Sequence, residues 1–209
     1  MIRSNQVARV DNSSASPVTP LERAERRSAP RLRTVYRVAR VTARGDQGLA
    51  RVQNISDGGL MITTRMALRP GDVVQIDLSD ECSLTGLVAW YDQNRCGVRL
   101  LRPIDSAALL RQLFEERRSG RARPLRLAHS KRVIIWSDQG QSVAALRDVS
   151  QAGMKVSHDG NFKPGLAVKV LLAPGVARRG VVRWSKDGNA GIALTEILSV
   201  EELGSMRSI

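Results

Sequence analysis

Aromatic residues are scarce in this chain: three Trp, two Tyr and two Phe among 209 residues. Proteins that track long single strands stack successive bases on aromatic rings, and these few leave little for such a platform. Two cysteines and two histidines, Cys82, Cys96, His129 and His158, are too few for a Cys/His zinc cluster. The thiols are expected to be free, and the histidines to lie on the surface or in loops. No stretch approaches the ~18 consecutive apolar residues of a membrane-spanning helix. Residues 1–20 lack the apolar core of a secretory signal. A cytoplasmic protein is therefore expected, in which the Asn54-Ile55-Ser56 sequon stays unmodified. There is no GxSxG, Walker loop or HExxH, and no carboxylate pair placed for acid–base work. These absences point to a binding protein rather than an enzyme, with no metal and no cofactor.

Positive charge is in excess, and it is concentrated. The net charge is +13, from 33 Lys+Arg against 20 Asp+Glu. Residues 21–44 hold eight basic and two acidic groups, and residues 110–132 hold the same numbers. Two short segments thus carry +12 of the +13. Nearly all of these basic groups are arginines, whose planar fork matches phosphate oxygens and guanine edges better than a lysine does. Residues 1–20, rich in Ser, Pro, Thr and Asn, are expected to form a disordered tail.

The chain also repeats itself. Asn54-Ile-Ser56-Asp-Gly-Gly59 matches Asp148-Val-Ser150-Gln-Ala-Gly153, Pro70-Gly71 matches Pro164-Gly165, Gly86–Trp90 matches Gly180–Trp184, and Gly97-Val98 matches Gly191-Ile192. Every pair is 94 residues apart, which is the size of a domain rather than of a solenoid repeat. Within each unit the pattern is of short β-branched or alternating stretches bounded by Gly, Pro, Asp and Asn. Strands are expected at 35–43, 49–55, 60–64, 73–78, 84–91 and 97–100, and again at 132–136, 143–149, 154–157, 167–172, 180–184 and 190–194. Turns are expected at Gly45-Asp46, Asp57-Gly58-Gly59 and Pro70-Gly71. Six short strands favour closure into a small barrel, which removes exposed edges. Residues 105–117 read as a helix, capped by Asp105 or Ser106, with Leu109, Leu110, Leu113 and Phe114 on one stripe. A shorter helix is expected after Ser199. The fold class is therefore all-β: two tandem six-stranded antiparallel barrels joined by a short helix, spanning 21–117 and 118–209.

Two features of the first unit belong together. Arg26-Arg27-Ser28-Ala29-Pro30-Arg31 is an RRxxxR run ahead of the first strand, and Asn54-Ile55-Ser56-Asp57-Gly58-Gly59 is an NxSxxG run at the second turn. In this order, ahead of a six-strand pattern, they resemble the PilZ family, whose signature is RxxxR followed by [D/N]xSxxG on a six-stranded barrel. The resemblance is good over 25–117 and weaker over 118–205. It implies a receptor for the bacterial second messenger cyclic di-GMP, with Arg26, Arg27, Arg31, Asn54, Ser56, Gly58 and Gly59 as ligand-binding residues. It also implies an effector protein that reads the bound state. The extra arginine, Arg26, implies a stacked pair of ligand molecules. The chemistry suits such a ligand. An arginine fork meets guanine O6 and N7 together or a phosphate bidentately. Asn54 and Ser56 can donate or accept at a base edge. Glycines let backbone approach closely. Trp90 either lines the base pocket or packs as a half-buried core residue.

The second unit keeps Asp148, Ser150 and Gly153, but its arginine half is broken. At the offset of 94, Arg27 falls on Arg121, Arg31 on Leu125 and Arg26 on Gly120, with Arg123 and Arg126 nearby as substitutes. It reads as a degenerate copy, with Arg121, Arg123, Asp148, Ser150 and Gly153 as secondary ligand-binding candidates. Two other readings compete with the receptor. One is a tandem-barrel interaction module without ligand control, against which the intact first motif counts. The other is a basic nucleic-acid-binding protein, against which the shortage of aromatics counts.

Overall fold

Each half of the chain closes into a barrel. The computed structural model describes residues 32–158, 160 and 162–209, so Arg26, Arg27, Arg31 and the expected tail over 1–20 lie outside the described residues. In the first barrel, β1 (Leu32–Ala43), β2 (Asp46–Ser56), β3 (Gly59–Thr64), β4 (Val73–Asp77), β5 (Ser83–Asp92) and β6 (Arg95–Leu100) close in the order β1-β2-β3-β6-β5-β4. One helix, α1 (Ser106–Arg118), follows. The second barrel contains β7 (Leu127–Ser137), β8 (Gly140–Ser150), β9 (Gly153–Ser157), β10 (Ala167–Ala173), β11 (Val176–Lys186) and β12 (Asn189–Leu194), in the order β10-β11-β12-β9-β8-β7. All pairings are antiparallel. The two-barrel, all-β expectation holds, and no helix among the described residues is long and apolar enough to cross a membrane.

Alternation explains the closure. Along β3 every second residue is buried, Leu60, Ile62 and Thr64, and β9 repeats this with Met154 and Val156. The inward side chains form one apolar cluster per barrel. Cys82 and Cys96 are both buried and free; burial pushes the Cys96 thiol up to about 11. Tight hairpins need residues that accept positive φ at both central positions. They are Arg44 and Gly45 (+53° and +71°), Gln93 and Asn94 (+44° and +67°), and Asp187 and Gly188 (+50° and +69°). The first turn therefore sits one residue earlier than expected, and Asp46 opens β2 instead.

Register corrects the repeat at one place. Arg37 pairs with Val52 as Lys131 pairs with Leu146, which is the offset of 94. Ahead of this, Leu32 pairs with Ile55 as Leu127 pairs with Val149, an offset of 95, because the bulge in β1 holds one more residue than that in β7. Counted back along the sequence at this offset, Arg126 and not Leu125 corresponds to Arg31.

The barrels are joined by more than α1. Three consecutive residues of β2, Gly48, Leu49 and Ala50, are all buried. Ala50 points into the first core, whereas Leu49 joins the cluster of the second barrel, with Val38 packed against it. The chain after β12 supplies the rest of the contact. The Leu49 amide donates to the Leu203 carbonyl (2.7 Å), and the buried Ser205 hydroxyl donates to Asp46 Oδ2 (2.6 Å). Arg51 Nε meets Glu201 Oε1 at 3.0 Å. In place of the helix expected after Ser199 there is a single hydrogen-bonded turn over 200–203. It starts with a capping box, Glu202 N to Ser199 Oγ at 3.0 Å and Ser199 N to Glu202 Oε2 at 2.8 Å. It stops at Gly204, which is pressed between Arg65 and Gly48. A short 3-10 helix over Met206–Ser208 follows.

Candidate ligand-binding face of the first barrel

One row of paired residues crosses the outside of the first barrel. Asn54 of β2 pairs with Met61 of β3, Met61 with Gly97 of β6, and Gly97 with Trp90 of β5. Trp90 lies flat over Gly97: a Cβ on Gly97 would come within 2.1 Å of the indole Nε1. The indole remains 40% exposed. It is therefore on the outer face and not in the core. The next row runs Ser56–Gly59–Arg99–Leu87. The barrel thus brings Asn54, Ser56, Gly59 and Trp90 onto one face, with exposed Arg99 beside Gly59 and exposed Arg95 beyond Gly97. Sequence reasoning passed over Arg95 and Arg99. The signal was the alternation Arg95-Cys96-Gly97-Val98-Arg99, which puts both arginines on the side of Gly97.

The motif turn is held from several directions. The Ser56 hydroxyl donates to the Gly59 carbonyl at 3.0 Å, and Ser150 does the same to Gly153 at 3.1 Å. This serine closes the turn in both barrels and keeps acceptor capacity for a ligand. Gly59 and Gly153 are fixed by crowding, since a Cβ would sit 2.5 Å from the Val98 carbonyl oxygen or 2.8 Å from that of Ile192. Gly58 faces open space, with nothing within 4 Å of a Cβ. The second barrel carries Ala152 at this position, so the barrel itself does not require a glycine here.

Asp57, between Ser56 and Gly58, ties the turn to α1. Its Oδ1 accepts from the Ser106 amide (3.0 Å) and the Ser106 hydroxyl (2.6 Å), and its carbonyl accepts from the Ile104 amide (3.0 Å). These Ser106 bonds hold the Asp57 carboxyl below the usual carboxylate range. Asp105 caps the helix, accepting from Ala108 N at 2.8 Å. Of the expected helical stripe, Leu113 is buried and Leu109 and Leu110 pack on the first core, but Phe114 is 65% exposed.

The second barrel repeats the row with different chemistry: Asp148–Lys155–Gly191–Trp184. Trp184 lies over Gly191 as Trp90 does over Gly97, and is 44% exposed. Here Asp148 is already ion-paired with Arg126. A cavity of about 200 Å³ opens between Arg126, Ser150, Gly153, Arg183 and Trp184. The barrel thus brings Asp148, Ser150 and Gly153 together. Arg121 and Arg123 lie instead along cavities beside α1. Arg126 and Arg183 take their place. His129 corrects another expectation: it is a half-buried strand residue, and its Nε2 is shielded from water with no hydrogen-bond partner among the described residues. No group of acidic, His and Cys residues suited to a metal ion occurs among the described residues.

Residues 25–116 match the family model of the PilZ domain. The first barrel is a PilZ domain. The match begins ahead of β1, so it takes in Arg26, Arg27 and Arg31, and it ends within α1. The second barrel lies outside it. No curated protein matches the chain. Among solved structures, the chain is similar to PlzA of Borreliella burgdorferi in complex with c-di-GMP, at 13% identity over 78% of this chain and 83% of that one (TM-score 0.36). It is also similar to the Bacillus subtilis inhibitor of motility MotI/DgrA, at 14% identity over 78% and 88% (TM-score 0.30). A third such structure is YcgR of Escherichia coli in complex with c-di-GMP, at 10% identity over 78% and 76% (TM-score 0.28).

Proposed function

We propose that this chain is a cyclic di-GMP receptor whose PilZ domain binds the nucleotide and whose helix α1 passes the event to an effector protein. The observation that carries the reading is the PilZ match over 25–116, which spans both the RRxxxR run and the NxSxxG turn. Asn54 supplies a hydrogen-bonding amide to a guanine edge. Gly58 leaves room for the nucleotide backbone. Trp90 offers an exposed ring face beside them. Arg26, Arg27 and Arg31 supply forks for phosphate and guanine O6/N7. Arg95 and Arg99 add positive potential along the same face. The chain acts by binding rather than by catalysis.

Transmission follows from Asp57. It lies within the NxSxxG turn and holds the start of α1 through Ser106, so a ligand that repositions the turn acts directly on the helix. The second barrel takes no nucleotide, because Arg126 already neutralises Asp148 at the place of Asn54.

Calorimetry tests the reading. Wild type binds cyclic di-GMP; Arg27→Ala and Asn54→Ala each weaken binding about tenfold or more, as expected when a charge-assisted or bidentate contact is lost. Arg126→Ala leaves the molar ratio unchanged. Equal heats for wild type and Arg27→Ala remove that arginine from the site, and no heat with wild type removes the function.

A further inference from the structure

Beside α1 lies a cleft of about 660 Å³ that belongs to neither row described above. Its walls include Val38 and Leu49 of the first barrel, Leu110, Leu113 and Phe114 of α1, and the 122–125 linker, with Gln151 of the second barrel at one side. Three arginines, Arg37, Arg117 and Arg123, stand in it. None of them has a carboxylate within 4.0 Å among the described residues. Arg37 donates its Nε to the Leu78 carbonyl (3.1 Å) and its Nη1 to that of Leu113 (3.5 Å), so it is hydrogen-bonded to carbonyls and not ion-paired among the described residues. Glu115 and Glu116 of α1, with Asp80 and Glu81, line a neighbouring polar cavity of about 610 Å³ that Arg123 also borders, and none of these carboxylates forms an ion pair with the three arginines among the described residues.

An apolar trough with arginines that form no ion pair among the described residues favours an occupant that is apolar on one side and negative on the other. We infer that this cleft docks an acidic amphipathic segment of the effector protein, its apolar side chains seated against Leu110 and Phe114 and its carboxylates on Arg37, Arg117 and Arg123. Three points favour this occupant. Phe114 is 65% exposed at the mouth of the cleft, as an anchor awaiting a partner would be. The segment 110–132 carries net +6, which steers an acidic chain toward it. The chain's own residues 21–31 have net charge +2 and so match the arginines poorly. The inference rests on the receptor reading only for the word effector; its chemistry needs no nucleotide.

The test uses the full chain without nucleotide. A random 16-residue peptide library is selected on the immobilised protein, and enriched peptides are measured by fluorescence anisotropy. The expected consensus is acidic, with apolar residues spaced i, i+3 or i+4, and i+7. Phe114→Glu and Arg123→Glu each weaken the best peptide about tenfold or more, as at an interface anchor, and Arg102→Glu, away from the cleft, changes it less than about twofold. Both cleft positions are exposed, and thermal melting confirms that each variant folds. The inference is overturned by the absence of such a consensus, or by an enriched peptide that ignores both cleft variants. It is equally overturned by binding of dodecanoate but not peptide, which makes the cleft a lipid site. Self-association abolished by Phe114→Glu assigns the cleft to a second copy and also overturns it. Nucleotide calorimetry is read separately, so the two readings fail independently.

Discussion

Gly48→Ala should part the two barrels without unfolding either. A Cβ on Gly48 would stand 2.1 Å from the Gly204 carbonyl oxygen, where ordinary contact begins near 3.4 Å. The obstacle is backbone, so relief requires the two segments to separate by about 1 Å or more. That is enough to break the Leu49 amide bond to the Leu203 carbonyl, now 2.7 Å, and to strain the Ser205–Asp46 bond, now 2.6 Å. One neutral hydrogen bond contributes about 1 kcal/mol, one to a carboxylate about 1.5–3 kcal/mol, and overpacking costs about 1–3 kcal/mol, so roughly 3.5–7 kcal/mol of inter-barrel coupling is at stake. The barrel itself tolerates a side chain here. Gly48 pairs with Val41 as Ser142 pairs with Ile135, so the second barrel already carries a serine at this position. Hydrogen exchange followed by mass spectrometry should show lost protection at Leu49 and over 199–209, with β3 and β9 unchanged. Guanidinium unfolding should move toward separate transitions for the two barrels. Wild-type protection at Leu49 together with an unchanged midpoint would refute the contact.

Four further outcomes are expected. Asp57→Ala removes both Ser106 bonds, so amide exchange at the start of α1 rises while the barrel strands stay protected. In the wild type, the Asp57 carboxyl sits lower in the folded state, so this anchor is complete above the ordinary carboxylate range and is lost as pH falls through the folded value, readable by exchange at acid pH. His129 has its pKa lowered by burial and by Lys131, with Asp46 opposing; stability is full above its ordinary value of 6.5 and declines as pH falls below it, and His129→Gln flattens that part of the thermal-melting profile. Gly59→Ala and Gly153→Ala meet backbone carbonyls at 2.5 and 2.8 Å, and each should destabilise its own barrel by about 1–3 kcal/mol in denaturant titration.

The barrels were legible because their signals are local. Alternation along 60–64 and 154–157 and the paired Gly, Pro-Gly and GxVxW positions carry the fold twice over. The face with Asn54, Ser56, Gly59 and Trp90 was legible in membership but not in geometry. Arg95 and Arg99 reach it only through the β3–β6 pairing, which links residues about forty apart in sequence. The break in the repeat was hidden because a single extra residue in the β1 bulge changes the offset from 94 to 95 just where the arginine motif is aligned. The inter-barrel contact left almost no trace. Gly48 and Leu49 look like any strand residues, and only the arrival of Gly204 from 156 positions away explains why three in a row are buried.

Comparing the two barrels separates what the fold needs from what a ligand needs. Ser56 and Ser150 bond the same carbonyl, Gly59 and Gly153 face the same crowding, and Trp90 and Trp184 cover the same glycine. Features kept in both barrels are therefore explained by the barrel alone. What differs is Asn54 against Asp148, Gly58 against Ala152, Met61 against Lys155 and Arg99 against Ala193. In the second barrel these changes put an anion next to Arg126, which pairs with it, and a lysine beside it. In the first barrel they leave a neutral amide, an open glycine and an arginine without an ion pair among the described residues on one face. The NxSxxG motif thus divides by role: its serine and last glycine build the turn in either barrel, and its asparagine and first glycine are the positions the barrel does not require.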